Sequence, residues 1–191
     1  DILSDPDCSH GPIEAIFTIS EETGLNGAFG IDASLVDARK LINLDSEEEG
    51  VFYIGCAGGI EIDAEKKAIW DAPIGDALKI RISGLLGGHS GGEIHKERAN
   101  SIKLMGRLLN RIPSFQIAAI NGGTRRNVIP SECEAVITVK DSDIVKTIAK
   151  NLEAELRREF AISDPDIKID VVDVPAPEKA LKKTLSAKLA D

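Results

Sequence analysis

Apolar and polar positions along the chain follow two different patterns that meet near residue 74. Before that point the apolar residues come in short runs without alternation: Ile13-Glu14-Ala15-Ile16-Phe17-Thr18-Ile19, Lys40-Leu41-Ile42-Asn43-Leu44 and Val51-Phe52-Tyr53-Ile54. Strands buried on both faces of a helix-covered α/β sheet have this character, so the pattern predicts three such strands. Glycines break the runs: Gly24, Gly27 and Gly30 follow the first, and Gly55-Cys56-Ala57-Gly58-Gly59 follows the third.

From residue 75 to residue 174 the pattern alternates. Leu78, Ile80 and Ile82 interleave with Lys79, Arg81 and Ser83, which predicts a half-buried strand. Ile102, Met105, Leu108, Leu109 and Ile112 then recur at helical spacing until Pro113 ends the helix. Phe115–Ile120 and Glu134–Val139 read as two further strands. Ile144, Ile148, Leu152, Leu156 and Phe160 fall four apart behind Asp141-Ser142-Asp143, an N-cap with favourable charge. Ile167, Ile169 and Val171 make a last strand. The order β-α-β-β-α-β predicts a ferredoxin-like split βαβ sandwich with its helices on one face of an antiparallel sheet. Residues 175–191 open with Pro175-Ala176-Pro177 and place Leu181, Leu185 and Leu189 four apart. They predict one amphipathic helix with no partner in the preceding sandwich, returning to the first region.

Composition narrows the function classes. The chain has 191 residues, 42% hydrophobic and 29% charged, enough for one large or two small folded domains. Its net charge of −9 argues against a general nucleic-acid binder, and 4% aromatic residues argue against a base-stacking platform. Cys8, Cys56 and Cys133 are odd in number and widely spaced, as free thiols in the cytoplasm would be. No apolar run reaches the roughly 18–20 residues of a membrane span, and no signal-peptide pattern is present. A chain that opens at Asp1 without an initiator Met is expected to be a piece of a longer protein.

Several residues are candidates for chemistry. Glu21-Glu22 follows the first predicted strand and Asp45 the second. Ligands of open α/β sheets bind at the carboxyl ends of strands, so these carboxylates can share a site. Together with Glu47-Glu48-Glu49 they can equally form a solvated acidic face. Gly88-His89-Ser90-Gly91-Gly92 matches the G-x-S-x-G nucleophile elbow, which makes a serine hydrolase using Ser90 an alternative. Of His10, His89 and His95, only His95 follows Ser90, too close in sequence for a separate triad base. A metal trio of His89, Glu93 and His95 is disfavoured, because that spacing spreads around a helix. His89 in a glycine turn is better suited to donating a hydrogen bond to a substrate oxygen. The loop Asn121–Pro130 can clamp a carboxylate through Arg126 and Asn127, or serve only as a hairpin connection.

Taken together, Ile19-Ser20-Glu21-Glu22-Thr23-Gly24, Asn43-Leu44-Asp45-Ser46-Glu47-Glu48-Glu49-Gly50, Gly87-Gly88-His89-Ser90-Gly91-Gly92-Glu93-Ile94-His95, Asn121-Gly122-Gly123-Thr124 and Arg126-Asn127-Val128-Ile129-Pro130 resemble the co-catalytic zinc exopeptidases. This family includes carboxypeptidase G and acetylornithine deacetylase, and the likeness is strongest to its branch acting on Xaa-His dipeptides. The resemblance implies an α/β catalytic domain, partly present in residues 1–74, with an inserted ferredoxin-like lid and dimerisation domain in residues 75–174. It implies hydrolysis of dipeptides by two zinc ions per site, with Mn2+ or Co2+ as possible substitutes, in a homodimer formed through the lid. Glu21 matches the general base, Glu22 and Asp45 match ligands of the two metals, and His89 matches the lid histidine that stabilises the oxyanion. Asn127 matches a lid residue that contacts substrate, with Arg126 beside it. The upstream His-x-Asp motif, the bridging Asp and the C-terminal histidine ligand of the family have no counterpart here. The chain alone is therefore expected to be an inactive fragment, or a module that only dimerises.

Overall fold

The computed structural model describes residues 4–45, 48–56, 58, 60 and 62–190. Asp1, Ser46 and Glu47 of the motifs above, and Ala57 and Gly59 of the glycine-rich break, lie outside the described residues. The chain divides into two units, Asp1–Ile62 and Asp63–Asp191.

In the first unit the three predicted strands do not form among the described residues. Regular structure there is limited to a four-residue helix, α1 (Asn26–Phe29), and a 3-10 turn at Ala33–Leu35. The apolar runs lie in irregular backbone and face solvent: Phe17 is 90% exposed, Leu41 86% and Ile54 103%. A strand that is apolar on both faces is stable only when neighbours pair with it and helices cover it. Helix α1 buries no residue and covers nothing. Local ties hold the segment instead. Glu14 accepts the backbone N–H groups of Asp37 and Ala38, and Ile19 O accepts the N–H of Gly27.

The second unit forms as its pattern predicts, with additions. Its elements are β1 (Trp70–Asp71), β2 (Asp76–Ser83), β3 (Gly88–His89), α2 (Ser101–Leu109), β4 (Phe115–Gly122), β5 (Val128–Ile129), β6 (Cys133–Val139), α3 (Ser142–Glu159), β7 (Lys168–Val174), β8 (Ala180–Leu181) and α4 (Lys183–Ala190). The four long strands make an antiparallel sheet in the order β4-β6-β2-β7. This is the split βαβ arrangement, in which β6 lies between the parallel pair β2 and β4. The chain is thus of mixed α/β class.

Period-two alternation places Leu78, Ile80 and Ile82 of β2 in the core beside Ala135 and Ile137 of β6. The opposite face carries charge. Lys79 pairs with Glu134 at 2.8 Å, and Arg81 pairs with Glu132 at 3.0 Å. Helix α2 is capped by Asn100, whose Oδ1 accepts the N–H groups of Ile102 and Lys103. It buries Leu104, Met105, Leu108 and Leu109 and turns Ile102 outward. Helix α3 is capped by Asp141 as predicted, but in its first two turns the buried stripe is shifted by one residue from the expected one. Val145, Ala149, Leu152 and Leu156 are buried, while Ile144 is exposed and Ile148 sits at the margin. The small Ala149 lets the backbone approach the sheet closely.

The C-terminal segment differs from the single helix predicted for it. Ala180 and Leu181 are buried in β8, paired with Trp70 and Asp71, and only Lys183–Ala190 is helical. Helix α4 also has a partner in the sandwich: it packs against α2 and β4. The buried Ser186 Oγ accepts the N–H of Ile117 at 2.9 Å next to the irregularity in β4, and Asn110 donates to Ala190 O. Leu185 faces the core and Leu189 is exposed, so the i+4 leucines do not share one buried stripe. The unit accordingly begins ahead of residue 75 and retains residues 175–190.

Candidate functional site

Strand β2 ends at Ser83, and Gly84 turns the chain out of the sheet with φ 80. A Cβ there would run into Asp166 O, so only glycine fits the turn. The loop that follows carries Gly87, Gly88 and His89. Residues Gly88 and His89 pair as β3 with Ile129 and Val128 of β5, and the N–H of Ser90 donates to Asn127 O at 2.8 Å. Topology thus joins two sequence-distant candidates, the His89 turn and the Arg126-Asn127 loop. Beside this pairing lies an open cleft of about 720 Å3, lined by Ser90, Ile94, Arg98, Ile102, Lys103, Arg125, Arg126 and Pro130 among others; of His89, Arg126 and Asn127 only Arg126 lines it, and His89 and Asn127 do not.

The geometry around His89 fixes what its ring can do. Nδ1 accepts the backbone N–H groups of Gly91 at 3.2 Å and Gly92 at 3.0 Å. A nitrogen receiving two donors carries no proton, so the neutral ring is protonated at Nε2, which is left to donate. The backbone of His89 is held as well: its N–H donates to Glu93 Oε2 at 3.0 Å. Glu93 also binds Lys96 at 2.6 Å and Arg98 at 3.2 Å, and Arg98 donates in turn to Gly87 O. The Lys96 hydrogen bond first, then the His89 N–H, hold the Glu93 carboxyl down at about 2 against its usual 4.5. Gly88, with φ 129, leaves room for this pair, since a Cβ there would meet the Glu93 carboxylate and the Arg98 guanidinium.

Ser90 lacks the setting of a nucleophile elbow. The elbow is a strained turn from strand to helix. Here Ser90 lies between a two-residue strand and the 3-10 turn Ile94–Lys96, and among the described residues the non-glycine ones with positive φ are Ser20, Leu25 and Glu97. Among the described residues no hydrogen bond joins its hydroxyl to an imidazole, and His95 lies in the 3-10 turn, not in α2.

Glu21, Glu22 and Asp45 lie in the first unit, all exposed. Glu21 opens a turn, with its carbonyl accepting the N–H groups of Gly24 and Leu25. The residue before it, Ser20, has φ 60, a left-handed conformation that a non-glycine residue seldom adopts and that is common at functional sites. The N–H of Asp45 donates to Asn43 Oδ1. Zinc takes three or four protein ligands. Among the described residues no three His, Cys, Asp or Glu side chains come together as a metal cage. Glu22 and Asp45 therefore do not make a zinc site by themselves.

The pattern does not single out Arg98, Lys103, Arg125 and Ile102 in the cleft, and it offers Glu93 only as a disfavoured metal ligand, not as the residue that holds the His89 backbone. Ile102 read as core, because an apolar residue at helical spacing does not say which edge of the buried stripe it occupies.

Comparison with known proteins bears on the family. Residues 80–164 match the peptidase dimerisation domain. The cytosol non-specific dipeptidase of Escherichia coli (strain K12) is 39% identical over 186 residues, covering 94% of this chain and 38% of the relative. The Bacillus subtilis (strain 168) protein YqjE is 25% identical over 165 residues, 82% of this chain and 38% of its own length. The crystal structure of aminoacylhistidine dipeptidase from Vibrio alginolyticus superposes with a TM-score of 0.71 at 32% identity, covering 99% of this chain and 41% of that one. The chain thus spans about two fifths of the length of these relatives. No helix among the described residues is long and apolar enough to cross a membrane. On these matches the chain is similar over nearly its whole length to these two dipeptidases, and residues 80–164 match the peptidase dimerisation domain.

Proposed function

We propose that this chain serves the metal-dependent hydrolysis of dipeptides, Xaa-His dipeptides in particular. The observation that carries this reading is the pairing of the His89 turn with the Arg126-Asn127 loop, next to a cleft lined by Arg98, Lys103, Arg125 and Arg126. The names of the Escherichia coli and Vibrio alginolyticus relatives support the substrate class. In this reading residues 1–74 contribute to a catalytic α/β domain and residues 75–174 form a lid. The dimerisation-domain match supports a homodimer formed through that lid, and the cytosolic relative supports a cytoplasmic location.

Each residue has a distinct part. Glu21 takes the proton from the attacking water and passes it to the leaving amine. His89 donates from Nε2 to the oxyanion that develops on the scissile carbonyl. Arg126 and Asn127 hold the substrate, with a guanidinium suited to a dipeptide carboxylate. Glu22 and Asp45 each supply one ligand to a pair of metal ions, zinc in the first instance. Two carboxylates are too few for that pair, so the 191-residue chain alone is expected to be inactive toward dipeptides even with zinc added.

The test is a chimera in which the chain replaces the aligned segment of the Escherichia coli dipeptidase. The chimera should hydrolyse Xaa-His dipeptides. Glu21→Gln should retain its metal while kcat falls by a factor on the order of 10² or more. Clear turnover by the isolated chain, or a fully active Glu21→Gln chimera, would overturn the reading. The serine-hydrolase alternative predicts that an acylating probe labels Ser90, which is not expected here.

A further inference from the structure

We infer that Asp164 is the positioning residue of the His89 loop. Its carboxylate is completely buried, and it lies far in sequence from every candidate site residue. Oδ1 accepts the N–H of Leu86 at 2.8 Å, and Oδ2 accepts the N–H of Ala99 at 2.7 Å. Leu86 and Ala99 flank the loop of residues 87–98, one just before it and one just after. A single carboxylate therefore closes the neck of the segment that carries His89.

Three features make this the side chain's own task. The turn between α3 and β7 is held by main-chain bonds, from Asp164 N–H to Phe160 O and from Ile167 N–H to Asp164 O, which need no carboxylate. Asp164 takes part in no salt bridge among the described residues, so its buried oxygens find their partners in the two N–H groups of the neck. The loop also needs such an anchor. Gly84, Gly87 and Gly88 have positive φ, and its regular pairing is the two-residue β3. Without the neck bonds, the backbone N–H groups that hold His89 Nδ1 are free to drift.

The inference rests on the role proposed for His89, but its first test does not. Asp164→Asn keeps the shape of the side chain and sets an NH2 group against one of the two N–H donors. In the 191-residue chain, hydrogen exchange should find the Leu86 and Ala99 amides protected although both lie outside helices and strands. In Asp164→Asn the Gly91 and Gly92 amides should exchange at least about tenfold faster, and the His89 Nδ1 resonance should move, while Ile80 and Ile137 keep their protection. Free exchange at Leu86 and Ala99 in the unsubstituted chain overturns the inference, whether or not the variant folds. So does an unchanged loop in a folded variant.

In the chimera, Asp164→Asn should lower kcat about tenfold at nearly constant KM, with no further loss in a His89→Ala background. A purely structural role would instead give additive losses, which would contradict positioning. A chimera with no activity at all would count against the proposed function and leave the exchange data to decide on Asp164.

Discussion

The backbone N–H of His89 donates to Glu93 Oε2 at 3.0 Å, so the residue four places along the chain holds the main chain of the candidate oxyanion donor. Lys96 and Arg98 hold Glu93 in turn, and the Lys96 hydrogen bond first, then the His89 N–H itself, keep its carboxyl ionised down to about 2. A carboxyl whose folded value lies below its usual 4.5 stabilises the fold fully above that value, and the contribution is lost as pH falls toward 2. Glu93→Gln should therefore destabilise the chain at neutral pH, and the gap between variant and parent should close between pH 4.5 and 2. Urea unfolding of both proteins across that range measures it. A gap that persists at pH 2 would show that the charge of Glu93 is not its source.

The two N–H groups on His89 Nδ1 predict the ring's tautomer. Long-range ¹⁵N–¹H spectra of the neutral chain should show Nδ1 unprotonated and Nε2 protonated. Removing the glycine geometry with Gly91→Pro, which deletes one donor, should let the second tautomer appear. A ring already protonated at Nδ1 in the parent chain would remove the donor role assigned to Nε2.

Burial pushes the Cys133 thiol up to about 11, with the neighbouring Glu134 charge adding to the effect, whereas Cys56 is exposed and Cys8 half-buried. At pH 8 a thiol reagent should modify Cys56 and Cys8 quickly and leave Cys133 untouched until the chain unfolds. Rapid labelling of Cys133 in the folded chain would place β6 nearer the surface than its burial implies.

Leu152 is wholly buried under the sheet and Ile162 is 99% exposed. Leu152→Ala should cost about 2–5 kcal/mol, and Ile162→Ala should stay within about 0.5 kcal/mol, by denaturant titration. Equal effects would contradict the burial of α3 against the sheet.

Residues 75–174 were legible in the sequence because each element buries one face against its neighbours, and a period of two or of 3.6 records that face directly. Ile80 and Leu156 sit where their spacing puts them. Ile144 does not, because Val145 and Ala149 compete for the same stripe and the smaller pair packs closer. The runs around Phe17 and Leu41 carry no face preference at all. Their strand character depends on neighbours that the described residues do not supply, so the expected ladder does not form. Leu181 went to β8 because Trp70 and Asp71 offered a pairing that no helical spacing reveals. At the candidate site local motifs nominate His89, Arg126 and Asn127, and the structure adds the pairing of the His89 turn with the loop that carries the other two. Asp164 was not: its partners lie 78 and 65 residues away, and a lone Asp-Pro before a strand reads as a turn.

The central claim is that His89 acts on the scissile carbonyl of a dipeptide. It is tested most directly by steady-state hydrolysis of an Xaa-His dipeptide by the chimera carrying His89→Ala. The predicted result is a loss in kcat of about 10²–10³-fold with KM within a fewfold of the parent chimera, as for removal of one oxyanion donor. An unchanged kcat in a folded, metal-loaded variant would contradict the account.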